Sequence, residues 1–260
     1  MELNGKHAIV CGSTQGIGLA SSKLMASRGA KITLVARNED RLKQALSELD
    51  TSNGQAHDYL VADFSKPEEL KSVLAQYVSA GNKPHILVNN TGGPKGGPII
   101  DAEVEEFIAA FNQHLICNHI LVQSLVSGMK DNGVGRIINV ISTSVKQPLN
   151  NLGVSNTIRG AVANWSKTMA NELGGHNITV NNVLPGATNT GRLQSIAEAK
   201  SSKTSESVDK IFEGMAAQSP MQRIAEPSEV AEAIAFLASD RASYINGINV
   251  PVDGGRTKSL

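Results

Sequence analysis

Residues 11–18 read Cys-Gly-Ser-Thr-Gln-Gly-Ile-Gly. Just before this turn, His7-Ala-Ile-Val-Cys11 is a short apolar run with strand character. Just after it, Ile17 to Ser27 has the pattern of a helix. A glycine-rich turn from strand into helix lets the backbone approach a pyrophosphate, which then sits on the free amides of the helix N-terminus. Tight turns need glycine for other reasons too, so the turn alone is weak evidence. The strand before it and the helix after it supply the context that a dinucleotide fingerprint requires. Gly12, Ser13, Thr14, Gly16, Ile17 and Gly18 are therefore the candidate phosphate cradle.

Outward from this turn, strand-like and helix-like segments alternate. Lys31 to Ala36 reads as the second strand. Asn38 to Leu49 reads as a helix with leucines at 42, 46 and 49 and Asn38 as its N-cap. A third strand falls around Leu60 to Ala62 and a third helix over Pro67 to Val78. Ile86 to Val88 is a fourth strand. Two helical stretches follow, Ala102 to His114 and Leu115 to Lys130. Arg136 to Ile141 is a fifth strand, Leu152 to Leu173 a long helix, and Ile178 to Leu184 a sixth strand. Ser228 to Ser239 is a helix and Ile248 to Val250 a closing strand.

This order predicts right-handed βαβ units and one mostly parallel sheet with helices on both faces. The expected class is α/β, a doubly wound parallel sheet of the Rossmann kind, with residues 1–260 as one domain. Gln194 to Ser207 holds five serines among charged residues. It reads as a disordered linker or a mobile lid, and its place inside the domain favours a lid over about 187–218.

Composition narrows the partners. Lys plus Arg total 24 and Asp plus Glu total 24, so the formal net charge is zero. That argues against a global electrostatic grip on nucleic acid or anionic lipid. Aromatic residues are 3% of the chain, too few for base-stacking platforms. No apolar stretch approaches bilayer-spanning length. Cys11 and Cys117 make no disulfide framework, and no metal-ligand spacing stands out. With no signal-peptide pattern at the start, the expected setting is cytoplasmic.

The spacing Gly-x3-Gly-x-Gly resembles that of the short-chain dehydrogenase/reductase family. Three further stretches carry the likeness, in the right order. Asn89-Asn90-Thr91-Gly92 resembles the family's Asn-Asn-Ala-Gly motif. Pro185-Gly186-Ala-Thr-Asn-Thr190 resembles its Pro-Gly-x3-Thr motif, and Val252-Asp253-Gly254-Gly255 its C-terminal signature. The branch it resembles is that of the 3-oxoacyl-acyl-carrier-protein reductases. The resemblance implies that Asn90 braces the central strands, that Pro185, Gly186 and Thr190 meet the nicotinamide end of a cofactor, and that Asp63 meets the adenine. Each has an ordinary alternative: a strand-end cap, a loop, a pre-helix turn.

The end of the second strand bears on which cofactor. An NAD site places Asp or Glu about 20 residues past the last glycine, on the ribose 2′-hydroxyl. This chain has Ala36-Arg37-Asn38 there. A guanidinium pairs with a 2′-phosphate that a carboxylate would repel. NADP is expected, with NAD as the other possibility; a solvated surface arginine is the plain alternative for Arg37.

The family works through an Asn-Ser-Tyr-Lys tetrad, and here the pattern fails. No tyrosine has a lysine four residues on: Tyr59, Tyr77 and Tyr244 are followed there by Asp63, Gly81 and Ile248. Ungapped alignment keeps Ser142. It places Ser155 at the tyrosine position, Arg159 at the lysine position and His114 at the asparagine position, with Asn112 as a neighbouring alternative. A serine hydroxyl is a far weaker acid than a phenol, and arginine keeps its proton. His114 is the nearby group expected to titrate near neutrality; packing alone is the other reading of it. Lys146 on the rim reads as a solvated loop lysine.

Two functions therefore stand. One is an NADP-dependent oxidoreductase on a small-molecule carbonyl or alcohol, with a non-standard set of His114, Ser142, Ser155 and Arg159. The other is an NAD(P)-binding protein with little or no redox activity, a sensor or assembly partner. The family resemblance also implies a homotetramer or homodimer. Phe107, Phe111, Leu121, Leu125, Val162 and Trp165 are candidates for that interface.

Overall fold

The structure is a computed structural model and describes residues 2–259. Seven strands form one parallel sheet: β1 (His7–Cys11), β2 (Lys31–Ala36), β3 (Asp58–Val61), β4 (Ile86–Asn89), β5 (Gly135–Val140), β6 (Ile178–Pro185) and β7 (Asn249–Val252). Their order across the sheet is β3-β2-β1-β4-β5-β6-β7. Val10 pairs with Leu34 on one side and Val88 on the other. The chain therefore reverses its direction of winding between β1 and β4. A crevice opens at such a reversal, beyond the carboxyl ends of the strands. This is the doubly wound Rossmann sheet expected.

The helices are α1 (Gly16–Ser27), α2 (Glu39–Ser47), α3 (Pro67–Ser79), α4 (Val104–Phe111), α5 (Cys117–Asp131), α6 (Gly153–Leu173), α7 (Gly191–Thr204), α8 (Val208–Ala216) and α9 (Pro227–Ala238). Successive side chains of a strand point to opposite faces. Ala8 and Val10 accordingly join Met25, Leu42 and Ile234 from α1, α2 and α9. Ile9 and Cys11 join Leu74, Leu121 and Ala170 from α3, α5 and α6 on the other face. Both cysteines are buried and free.

A line of asparagines crosses the sheet inside this apolar frame. Asn89, Asn139, Asn182 and Asn249 stand in register on β4 to β7. Asn89 Nδ2 donates to Asn139 Oδ1 at 2.8 Å, Asn139 Nδ2 to Asn182 Oδ1 at 3.0 Å, and Asn182 Nδ2 to Asn249 Oδ1 at 2.8 Å. Each amide nitrogen meets the oxygen of the next, which offsets its desolvation, while Asn89 Oδ1 at the end of the line has no partner among the described residues.

Three expectations change. The two helices over 102–130 are one run: a π-helical turn over Asn112–Ile116 joins α4 to α5 without a loop. The serine-rich stretch is no disordered linker but the helix α7. Its hydroxyls turn back onto their own backbone, Ser195 Oγ donating to Gly191 O at 3.0 Å and Ser202 Oγ to Glu198 O at 3.0 Å. Leu121, Leu125 and Val162 are core residues, at most 1% exposed, and offer nothing to an interface. Phe111 stays exposed, as do Ile99, Ile100, Val104 and Ile108, which the sequence does not single out.

Candidate functional site

The crevice at the β1/β4 reversal is a cleft of about 510 Å³. Its floor is the glycine turn. Gly12 has φ +58°, and a Cβ there would lie 2.6 Å from the Asn90 carbonyl oxygen. A Cβ on Gly18 would lie 2.2 Å from Gly12 O. Only glycine lets the turn fold this tightly onto the start of α1. Asn90 Nδ2 donates to Cys11 O at 3.2 Å and to Gly12 O at 3.3 Å, so it does brace the end of β1.

Of the expected cofactor residues, Gly12, Thr14, Gly16, Ile17, Arg37, Asp63, Asn90, Arg159, Pro185, Gly186 and Thr190 all line this cleft. Two do not. Ser13 is fully buried, and its Oγ accepts from Val35 N at 3.0 Å, so its side chain ties the turn to β2. Gly18 is a packing glycine. Asp63 Oδ1 accepts from Ser65 N at 2.9 Å and from Ser65 Oγ at 2.8 Å. These bonds hold its carboxyl below the usual range. Thr190 caps α7, its Oγ1 accepting from Leu193 N at 3.3 Å.

The cleft is basic. Arg37 and Arg41 stand exposed at the end of β2 and the start of α2; Arg159 and Arg192 stand at the other end. Asp63 is the only carboxylate among the described lining residues. None of the four arginines makes an ion pair among the described residues. Arg41 and Arg192 were missed in the sequence. Arg41 follows Arg37 at helix-like spacing, which was a readable signal; Arg192 carried none beyond following Thr190.

Arg159 lies on α6 and is 7% exposed. Its Nη1 donates to Val140 O at 3.2 Å. Burial, then the charge of Arg192, brings it down to about 10, so it remains a cation at neutral pH. Ser155 sits one helical turn earlier, on the same face of α6. Ser142 caps the short turn after β5, its Oγ accepting from Ser144 N at 3.1 Å. That bond occupies a lone pair and leaves the hydroxyl proton free to donate elsewhere.

His114 stands in the π turn and is 1% exposed. Its Nδ1 is 2.6 Å from Thr91 Oγ1, and its Nε2 has no partner among the described residues. It does not titrate near neutrality as the sequence suggested. Burial, with the nearby Arg159 cation, pushes it down to about 2. At neutral pH it is an uncharged imidazole, a hydrogen-bonding group with no spare proton to give as imidazolium. Ser142, Ser155 and His114 are set beside the cleft rather than in its described lining.

The comparisons with known proteins agree with this geometry. Residues 12–257 match the family model described as enoyl-(acyl carrier protein) reductase. The chain belongs to the short-chain dehydrogenase/reductase family of oxidoreductases. It is 30% identical over 259 residues to the NADPH-dependent reductase BacG of Bacillus subtilis, covering 99% of this chain and 100% of that one. It is 33% identical to the 3-oxoacyl-acyl-carrier-protein reductase FabG of Vibrio cholerae, covering 98% of both. Among solved structures, L-sorbose reductase of Gluconobacter frateurii, complexed with NADPH and L-sorbose, is 33% identical, with a TM-score of 0.93 and full coverage of both chains.

Proposed function

We propose that this chain is an NADP-dependent oxidoreductase acting on a carbonyl/alcohol pair. The observation that carries it is a cleft at the winding reversal with a glycine cradle at its floor and unpaired arginines at both ends. The fit to the cofactor is steric and electrostatic: the glycines clear space that a Cβ would fill, and Arg37 with Arg41 offers a fork to a 2′-phosphate. The NADPH dependence of BacG and the NADPH held by L-sorbose reductase support NADP over NAD.

When bound, the cofactor supplies the hydride. The protein must orient the carbonyl, hold the charge that grows on its oxygen, and deliver a proton. Ser142 donates a hydrogen bond to that oxygen. Arg159, a fixed cation out of bulk water, stabilises the alkoxide and holds the ribose. The proton is drawn from water through the Ser155 hydroxyl, with the neutral His114 and Thr91 ordering that relay. Helices α7 and α8 form a lid, α7 bringing Arg192 and Leu193 to the cleft lining. The exposed apolar side chains of α4 pair copies of the chain into a dimer or tetramer, and the two free cysteines suit a cytoplasmic setting.

The second reading, a cofactor-binding protein with little redox activity, is favoured by one observation: no tyrosine stands among the described residues that line the cleft. NADPH oxidation followed against a panel of aldehydes, ketones and oxo acids decides. Turnover with any of them supports the oxidoreductase; tight NADPH binding with no turnover supports the second reading.

A further inference from the structure

We propose that the inner end of the cleft is an anion subsite built by Arg159 and Arg192, and that the substrate is an oxo acid whose carboxylate docks there. This rests on reading the cleft as a carbonyl site.

Two guanidiniums converge on one point. A Cβ placed on Gly93 would lie 3.8 Å from Arg192 Nη2 and 3.9 Å from Arg159 Nη2. Gly93, Arg159 and Arg192 all line the cleft, and the missing side chain at Gly93 leaves its wall bare beside both forks. Each fork spends one bond on the protein: Arg159 Nη1 on Val140 O and Arg192 Nη2 on Pro94 O. Their remaining donors have no acceptor among the described residues. Neither has a carboxylate partner there, and Asp63 is bound to Ser65. Like charges held together without an acid oppose folding, and an anion between them removes that opposition.

The ribose that Arg159 holds is uncharged, and the cofactor's phosphates do not need this pair. The pyrophosphate has the glycine turn and the N-terminus of α1, and a 2′-phosphate has Arg37 and Arg41. What remains is a charge for the substrate. Lysine at position 159 would offer a compact point charge, whereas arginine offers a planar fork that matches a carboxylate in two places. The pair lies on the Ser142 side of the cofactor cradle, where a carbonyl adjoining the carboxylate is brought to the reacting end. In the reaction the carbonyl carbon gains the hydride and its oxygen gains a proton. The oxo acid leaves as a hydroxy acid beside the oxidised cofactor.

The test compares aliphatic and aromatic 2-oxo and 3-oxo acids with their methyl esters. Binding to the NADP⁺-loaded protein is measured by calorimetry, and turnover by NADPH oxidation. At least one acid is expected to bind and react about 10- to 100-fold better than its ester, the range of charge-assisted hydrogen bonds. Arg192→Gln, an exposed position, should erase that preference, Arg192→Lys should restore part of it, and NADPH affinity should hold within a few-fold. Esters equal to acids throughout would overturn the proposal. So would a loss of NADPH affinity in Arg192→Gln as large as the loss of acid binding, because the anion would then be the cofactor's phosphate. Acid-selective, Arg192-dependent binding without turnover would keep the subsite and remove the redox reading instead.

Discussion

The Nδ1 of His114 lies 2.6 Å from Thr91 Oγ1, and its Nε2 has no hydrogen-bond partner among the described residues. The imidazole is held neutral, from its ordinary 6.5 down to about 2, by burial first and the Arg159 cation second. The sign of the stability effect follows. Above pH 6.5 neither folded nor unfolded chain protonates this ring. Below it the unfolded chain takes up a proton that the folded chain refuses, so stability falls as pH falls from 6.5 toward 2. One such group gives about 1.4 kcal/mol per pH unit in that window. His7, pushed down to about 4 by burial, then by Lys31 and His85, adds to the slope. His114→Gln should therefore flatten the fall between pH 6 and 5 by about one proton in urea denaturation. An unchanged slope means that the ring is charged in the fold. In the same variant, the rate profile should lose no limb near neutrality.

Arg37 is the residue proposed to select the cofactor. Its side chain is exposed at the cleft rim and unpaired, so removing it leaves the fold intact. Arg37→Ala should weaken NADP(H) binding by about 1.5–3 kcal/mol, the worth of a charge-assisted pair, and leave NAD(H) binding nearly unchanged. Calorimetric titration with both cofactors reads this directly. Equal NADP and NAD affinities in the unaltered protein would refute the assignment.

The glycine turn and the strand ends were legible because their signals are local: a short continuous apolar run, then glycines, then a period-3.6 helix. The arginine at the end of β2 was legible for the same reason. The π turn was not, since an i to i+5 bond leaves no residue signature, and its effect on His114 is tertiary. Titration near neutrality is the ordinary expectation for a histidine; burial and then Arg159 pull it down in the fold. Arg192 escaped notice because its meaning depends on the Gly92-Gly93 loop, which only the fold brings across the cleft. Leu121, Leu125 and Val162 show the same limit in the core: a surplus of apolar residues on a helix does not say which sheet face will absorb them.

The asparagine line through β4 to β7 should behave as one unit. Asn139 is fully buried, gives to Asn182 Oδ1 and Ser166 Oγ, and accepts from Asn89. Asn139→Leu fills the volume but orphans these partners, each at about 1–3 kcal/mol. The expected loss is about 3 kcal/mol or more by urea denaturation. A loss under about 1 kcal/mol would mean that water or rearrangement replaces the ladder.

Ser155 and Arg159 share one face of α6, one turn apart, and are proposed to stand where the family's tyrosine and lysine belong. Restoring that pair tests whether the pocket has lost only its acid. Ser155→Tyr supplies a phenol with an ordinary pKa near 10, and Arg159→Lys supplies the neighbouring ammonium that lowers it. A positioned general acid contributes about 10²–10⁴-fold in rate. The double variant should therefore reduce simple uncharged ketones about 10²-fold faster than the unaltered chain, at the lower end of that range because the surroundings were not built for a phenol. It should also lose much of its preference for oxo acids, because lysine cannot span a carboxylate as the arginine fork does. NADPH affinity serves as the control and should stay within a few-fold. A gain on ketones with the acid preference intact would move the anion subsite off Arg159. No gain, with the fold and NADPH binding preserved, would mean that the chain delivers its proton by a route that a phenol at position 155 cannot join.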